Sequence, residues 1–260
     1  MNTTDIGSRV TWMSLDLTAA PADGPVAFGA DLAADTLRTA YRHGLYPFPT
    51  ATVEHQFVNE LTYEPEVLTG RVRLLGGTAE PYSIAWYSPD PRPLIFCDGA
   101  RVQRSLRQQL RNKVDWITTV DRCFEQVVTA CRIDRAETWL TDELVANLCH
   151  LQETGYAHSV EVWEDDELIG GTFGVRAGAV FSADSQFTRR TGAGKVAVAD
   201  LTRRFGDSGG VAVDVQRDGD HVRLLGARPV SRRHYLDLLR AHARTRVLDT
   251  RPLPARRLAN

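Results

Sequence analysis

The chain has 260 residues, of which 43% are hydrophobic and 25% charged. That balance excludes a wholly disordered chain and leaves one large domain or two modest ones. No apolar run approaches a membrane span, no basic region followed by an apolar stretch marks a secretory leader, and a net charge of −2 excludes a generic polyanion binder. The expectation is a cytoplasmic protein with neither DNA nor membrane as partner. The four cysteines show no Cys-x-x-Cys spacing and the seven histidines no His-Glu-x-x-His spacing. Buried, reduced thiols and no metal are expected.

In chain order, Asp35 to Gly44 reads as a short helix, with Asp35 as its cap, Leu37 and Tyr41 on one face and Gly44 at its end. Leu45-Tyr-Pro-Phe-Pro49 is extended, because two prolines keep it out of a helix. Residues 50–83 read as irregular, with a turn at Gly76-Gly77, and Ala85 to Pro93 is again rigid and aromatic. Val102, Leu106 and Leu110 recur every four residues and predict a helix over Arg101–Asn112, followed by a strand over Val114–Val120. Asp121 and Thr141 are expected to cap the next two helices, the second ending at Gly155. Ser159–Trp163, Leu168–Val175 and Ala179–Phe181 alternate as an antiparallel meander, with turns at Asp165-Asp166 and Ala177-Gly178. A helix over Lys195–Phe205, a buried strand over Val211–Gln216 and a last helix capped by Ser231 complete the pattern. The order predicts a mixed α/β (α+β) fold with helices packed on a largely antiparallel sheet. A boundary near residue 97 would divide a Pro- and aromatic-rich part, 1–97, from a regular part, 98–250, and 251–260 reads as a flexible tail.

Several strings, in this order, carry a resemblance to a known family: Phe28-Gly-Ala-Asp-Leu32, Ala40-Tyr-Arg-His-Gly-Leu-Tyr-Pro47, Trp86-Tyr-Ser-Pro-Asp-Pro-Arg92, Thr138-Trp-Leu-Thr141, Gly155-Tyr-Ala-His-Ser-Val-Glu-Val-Trp163, Leu168-Ile-Gly-Gly171, Asp184-Ser-Gln-Phe187, Val213-Asp-Val-Gln216 and Leu225-Gly-Ala227. The chain resembles a divergent leucyl/phenylalanyl-tRNA–protein transferase from about Val26 to about Arg240. The resemblance implies a small N-terminal domain and a C-terminal GNAT-like (acyl-CoA N-acyltransferase-like) domain. It implies transfer of an aminoacyl group from the 3′ end of a charged tRNA to the amino terminus of an acceptor protein, without cofactor. The stretch 50–83 separates strings that usually lie closer together in that family.

The resemblance makes Asp214 and Gln216 the catalytic pair, matching the family's Asp-Cys-Gln. Residues two apart on a strand share a face, so both are expected to point one way and Val215 into the core. The expected role of Gln216 is to accept a hydrogen bond from the attacking amine; that of Asp214 is to orient Gln216 and to balance developing positive charge. Ala183, Asp184, Ser185, Gln186 and Phe187 would line the side-chain and adenosine pocket, where the family has Gly-Glu-Ser-Met-Phe. Met to Gln places an amide where a thioether would pack apolar groups, so an aminoacyl group other than Leu or Phe is expected. Trp86, Tyr87 and Trp139 are candidates to stack on the terminal adenosine.

Arg104, Arg107 and Arg111 share one helix face; Arg189, Arg190 and Lys195 form a second group, and Arg232 and Arg233 a third. All are candidates for tRNA phosphate contacts. Arg189-Arg-Thr-Gly-Ala-Gly194 also fits the Arg/Gln-x-x-Gly-x-Gly signature by which GNAT enzymes hold the coenzyme A pyrophosphate. An acyl-CoA-dependent N-acyltransferase is therefore the rival reading, and an inactive tRNA- or peptide-binding homologue a second. The altered pocket also leaves open a small-molecule amine as acceptor, as in natural-product assembly.

Overall fold

The computed structural model describes residues 12–76, 78–99, 102–133, 138–241 and 246–259. The first part of the chain runs β1 (Pro25–Gly29), α1 (Ala34–Arg42), β2 (Tyr46–Pro49), α2 (Val53–Leu68), β3 (Arg73–Leu75) and β4 (Ile84–Tyr87). It continues with β5 (Arg92–Phe96), α3 (Arg104–Asn112), β6 (Ile117–Val120), α4 (Phe124–Arg132), α5 (Asp142–Glu153), β7 (Ala157–Glu164), β8 (Glu167–Ala177) and β9 (Val180–Thr188). Then come α6 (Ala193–Asp207), β10 (Ala212–Asp214), α7 (Asp220–Arg223), β11 (Arg228–Val230), α8 (Arg232–Arg240) and β12 (Leu253–Pro254).

Two sheets result. The smaller has the order β2-β4-β1-β3 and the larger β11-β5-β10-β9-β8-β7-β6-β12. In the larger sheet β10 runs parallel to β9, and the other pairs are antiparallel. The succession β6, α4–α5, the β7–β8–β9 meander, α6 and parallel β10 is the order the GNAT-like expectation requires. One face of the larger sheet buries Phe173, Val175 and Ala157 against α1, α4, α5 and Trp86 of the smaller sheet. The other buries Val160, Val162, Ile169, Phe181 and Val213 against α3 and α6. β7 is covered on both faces, so its polar residues His158, Ser159 and Glu161 are buried along with its apolar ones, and Glu161 accepts from Thr119 and Ser159.

The local caps of α5 and α8 form as expected: Thr141 accepts from Leu144 N–H and Ser231 from His234 N–H. Asp35 does not cap α1, whose N-cap is Ala33. Asp121 does not cap α4 either; with φ at 56° it accepts from the Ser159 N–H and bonds the His158 ring instead. The stretch 50–83 is not irregular, since it contains α2, capped by Thr52, and β3. No residue of α2 is buried and Pro65 interrupts its ladder, which is why its apolar residues gave no clear helical signal. Gly77 of the expected turn and Arg101 of the expected helix start lie outside the described residues. Of the four cysteines Cys131 is buried, and Cys97, Cys123 and Cys149 are partly exposed.

The passage from one sheet to the other falls between Tyr87 and Arg92, before residue 97, because β5 pairs with β10 and β11. Nor do residues 251–259 of the expected flexible tail lie loose. Leu253–Pro254 pairs with β6, Ala255 and Ala259 are fully buried, and Arg257 forms an ion pair with buried Asp200. Arg204 Nη1 fixes the approach to this segment by donating to the carbonyls of Asp249 and Arg251.

Candidate active site

A cavity of about 470 Å³ opens where β9, the end of β10, α7 and β2 converge. Phe48 and Trp139 stack at its rim, 5.9 Å between centroids at 17°. Ala183, Asp184, Ser185 and Gln186 form one wall, Val215, Gln216 and Arg217 another.

The wall from β9 is shaped by a bulge. Gly174 pairs with Ala183 and Phe173 with Ser185, so Asp184 is the extra residue. The bulge needs glycine opposite, since a Cβ on Gly174 would fall 1.8 Å from the Ser182 carbonyl oxygen. Asp184 is thereby turned into a network. Its Oδ2 accepts from Tyr41 Oη at 2.5 Å, and its Oδ1 from Gln216 Nε2 at 2.6 Å and Ser182 Oγ at 3.1 Å. Burial pushes the Asp184 carboxyl up to about 7; Asp214 adds to the rise, while the hydrogen bonds from Tyr41 and Ser182 oppose it.

Gln216 Nε2 also donates to Ser182 Oγ at 3.1 Å. Both amide hydrogens are therefore committed, and among the described residues no donor lies within bonding distance of Oε1. The amide is held as a fixed acceptor on the cavity wall. Its backbone is in the left-handed region, φ 61°, which is uncommon for a residue with a side chain. β10 ends at Asp214, so strand alternation does not extend to Gln216. Val215 packs against the core as expected but also lines the cavity, and Asp214 does not line it.

Asp214 is fully buried behind Gln216. Arg92 holds it through Nε at 2.9 and 3.0 Å and Nη2 at 2.7 Å. Tyr235 Oη donates to it at 3.1 Å, and the Gln216 backbone N–H at 2.8 Å. The Arg92 guanidinium lies between the Tyr46 and Tyr235 rings, 4.9 and 4.5 Å from their centroids. Burial is the largest single influence and works against its charge, but Asp214, Tyr235 and Tyr46 together outweigh it and the Arg92 pKa ends raised. Asp214 thus fixes the backbone of Gln216, not its amide.

Other expected site residues disperse. Trp139 is at the cavity, whereas Trp86 is fully buried, donates to the Gly29 carbonyl and meets Trp12 edge-on, so it is core. With the whole side chain enclosed, neither face of the indole is open to adenosine. Tyr87 stacks on Tyr46 behind the rim, and Phe187 is buried beside a neighbouring cavity of about 270 Å³ that shares Gln186. Gln186 Oε1 is buried without a partner.

Among the basic residues, Arg104 and Arg107 are exposed on α3, and Lys195 Nζ donates to Gln103 Oε1 at 3.2 Å, which joins α3 and the start of α6 into one basic patch. Arg111 instead donates to the Ala259 carbonyl. Arg189 donates to the Leu168 carbonyl, and Arg190 pairs with Glu164 and Glu167. Arg232 is buried and donates to the carbonyls of Leu17, Ala20 and Pro21, so it is not a phosphate contact; Arg233 beside it is exposed. The sequence reading passed over Arg217, exposed at the cavity and 5.5 Å from the Phe48 and Tyr87 ring centroids. It also passed over Ser182, although this residue adjoins the Ala183–Phe187 segment. Tyr41 and Arg92 lay within quoted family strings, which was the available signal.

The Arg-x-x-Gly-x-Gly loop opens α6 as expected. A Cβ on Gly194 would fall 2.3 Å from Thr188 Oγ1 and 2.9 Å from the Phe187 carbonyl oxygen, so packing of α6 on β9 accounts for this glycine without an anion. Among the described residues no helix is long and apolar enough to cross a membrane, and no group of three His, Cys, Asp or Glu residues is placed to hold a metal.

The family profile described as Leucyl/phenylalanyl-tRNA protein transferase matches residues 94–240. The chain belongs to the leucyl/phenylalanyl-tRNA–protein transferase family. A protein of that name from Chromohalobacter salexigens is 37% identical over 234 residues, 89% of this chain and 80% of the relative. Another from Pseudomonas fluorescens is 35% identical over 244 residues, 90% and 95% of the two chains. Among solved structures, a GCN5-related N-acetyltransferase from Kribbella flavida aligns with a TM-score of 0.39 at 18% identity, over 55% of each chain. As a family member the protein is an aminoacyltransferase that works from aminoacyl-tRNA.

Proposed function

We propose that this chain joins the aminoacyl group of a charged tRNA to the α-amine of an acceptor polypeptide, and that Gln216 and Asp184 form the reacting centre. The observation that carries the reading is the Gln216 amide, fixed through both hydrogens with its Oε1 free on a cavity wall. The amine donates to Oε1, which aims its lone pair at the ester carbonyl carbon. A carbon–nitrogen bond forms and the ester carbon–oxygen bond breaks. The amine proton ends on the leaving ribose oxygen. Ionised Asp184, one hydrogen bond behind the amide, offsets the positive charge that grows on nitrogen. Asp214 is a positioning residue acting through the Gln216 backbone. Phe48 and Trp139 give the terminal adenosine a π surface, and Arg217 supplies a cation for a phosphate of the tRNA end.

The test is to incubate the enzyme with aminoacyl-labelled tRNA and an acceptor peptide. Label should move to the peptide amino terminus and ribonuclease treatment of the donor should abolish transfer; label reaching only a small amine, or turnover surviving ribonuclease, refutes the reading. Transfer from acetyl-CoA in the same assay would favour the N-acyltransferase alternative.

A second element concerns the group transferred. The relatives' names state leucyl and phenylalanyl; here an amide, Gln186, lines the cavity, and its oxygen is buried without a partner. Leaving such a group unpaired against leucine costs about 1–3 kcal/mol, so the donor preferred by this chain carries a polar side chain. Gln186→Met should raise use of Leu-tRNA about 5- to 150-fold. Strong preference of the wild type for Leu-tRNA would overturn the inference.

A further inference from the structure

The stretch between β2 and β4 is absorbed by no step of the reaction, yet it folds into a helix with an unusual surface. Phe57, Leu61 and Leu68 are 57%, 62% and 80% exposed, and Val53 is exposed beside them. Val53, Phe57 and Leu61 recur every four residues and so form one stripe along α2. The opposite side is occupied: Tyr63 packs on Phe28, and Asn59 donates to the Tyr82 carbonyl. An apolar stripe kept outward on a helix already seated on its sheet is a surface for a partner.

Two observations identify the partner. The first is charge. Glu54, Glu60 and Glu64 are exposed along the same helix and, among the described residues, none is paired with Arg or Lys. This field repels RNA phosphates, so of the reaction's two substrates it favours the polypeptide, and a basic one. The second is continuity with the cavity. Phe48 pairs with Ala85, and Phe28 also pairs with Ala85, so Phe48 lies on the sheet face that α2 covers. Tyr87, two residues on, carries that face to the cavity rim, meeting Phe48 edge-on at 6.0 Å. A chain whose first amine sits at Gln216 and which leaves past Phe48 runs toward α2.

We infer that the outer face of α2 is a docking ridge for the acceptor polypeptide, taking a basic and apolar segment that follows the amine seated in the cavity. The inference rests on the aminoacyl-transfer reading above. It assigns to α2 a share of acceptor affinity and none of the chemistry, which occurs at Gln216.

The experiment compares two acceptors with the same amino-terminal dipeptide, one the dipeptide amide, the other a longer peptide continuing with alternating Lys and Leu. The wild type should show a KM about tenfold lower for the longer acceptor. Phe57→Ser/Leu61→Ser and, separately, Glu60→Lys/Glu64→Lys should erase that advantage and leave kcat and KM for the dipeptide amide unchanged, which also certifies folding. Equal KM for both acceptors in the wild type, or equal losses with both in the variants, overturns the inference. So does a chain that sediments as a dimer, is dissociated by Phe57→Ser/Leu61→Ser and keeps its preference for the longer acceptor, since the stripe would then serve a second copy. If neither acceptor takes label, the transfer reading itself fails. Fluorescence anisotropy of the longer peptide against wild type and variants then tests the ridge directly, with loss of binding in the variants supporting it and unchanged binding sinking it.

Discussion

Two buried aspartate–arginine pairs occupy this fold, and they do different things. In one, Arg92 grips Asp214, and both are buried to within 1% exposure. In the other, Arg204 grips Asp200 at 2.6 Å, again fully enclosed. The difference lies in where the remaining hydrogen bonds go. Arg204 directs its other donors to the backbone of Thr118, Asp249 and Arg251, and Asp200 also pairs with Arg257. That cluster is a clasp which closes the last segment onto β6. Asp214 instead accepts the N–H of Gln216, so its order is passed to a residue on the cavity wall. The same costly chemistry serves closure near one edge of the sheet and positioning within it.

The largest expected effect comes from breaking each pair at its arginine. Arg92→Met strands the Asp214 carboxylate without a cation and should cost about 3–5 kcal/mol in chemical denaturation, whereas Arg204→Met leaves Asp200 its Arg257 partner and should cost less. Only Arg92→Met should also lower kcat per folded molecule. If both lower it equally, Asp214 is no more than a second clasp. Should Arg92→Met fail to fold, Asp214→Asn keeps the shape of the cluster and reports the same contrast in kcat.

Next is the link itself. Gln216→Ala should lower kcat by about a hundredfold or more, because it removes the fixed acceptor. Gln216→Gly should lower it equally while losing less stability, since glycine takes φ 61° without strain. A glycine variant with near-normal kcat would show that the backbone turn, not the amide, is what Asp214 protects.

The contrast between the clusters explains which parts of this protein were legible in its sequence. The meander β7–β9 was readable because alternation and turns are local, and the caps at Thr141 and Ser231 because a hydroxyl three residues before a donor is a local signal. Asp214 and Gln216 were readable as candidates through the family strings, but their arrangement was not. Whether a strand continues past Asp214 depends on Arg92, distant in the chain, and on a left-handed residue that no periodicity announces. Trp86 was misassigned because an indole in a rigid segment looks alike whether it faces ligand or core. Arg232 was misassigned for the parallel reason: a cation beside another cation gives no sign that backbone carbonyls enclose it. The last segment read as loose because Pro and Arg dominate it, yet Asp200 and Arg204 hold it from another helix.

A smaller effect concerns pH and sets the two buried acids apart. The carboxyl of Asp184 lies near 7 against an ordinary 3.8. Folding therefore favours its protonated form. Its stability contribution is greatest below the unfolded value and is lost as pH rises toward 7. Asp184→Asn should remove that dependence, so its stability relative to wild type should improve between about pH 4 and pH 7. Activity should run the other way. With the carboxylate needed to offset charge on nitrogen, wild-type kcat should rise through about pH 7, and Asp184→Asn should be slower and lack that inflection. The acceptor amine titrates in both proteins, so only the difference between their profiles reports Asp184. Superimposable profiles would remove Asp184 from the reacting centre.

The smallest effect sharpens the same comparison at the surface. Each cluster has an exposed arginine close by in sequence. Arg217 follows Gln216 and stands at the cavity over Phe48 and Tyr87. Arg251 lies in the clasped segment and already pairs with Asp249 at 2.7 Å. If the Asp214 cluster faces a nucleic-acid substrate and the Asp200 cluster does not, only Arg217 neutralises an RNA phosphate. Arg217→Ala should then raise KM for aminoacyl-tRNA and reduce the slope of log affinity against log salt by about one, whereas Arg251→Ala should leave the slope alone. An exposed ion pair is worth so little that losing the Arg251 pair should be nearly silent in stability as well. Equal slopes in the two variants would mean that the tRNA end approaches by another edge of the cavity, with Arg217 holding only the aromatic rim in place.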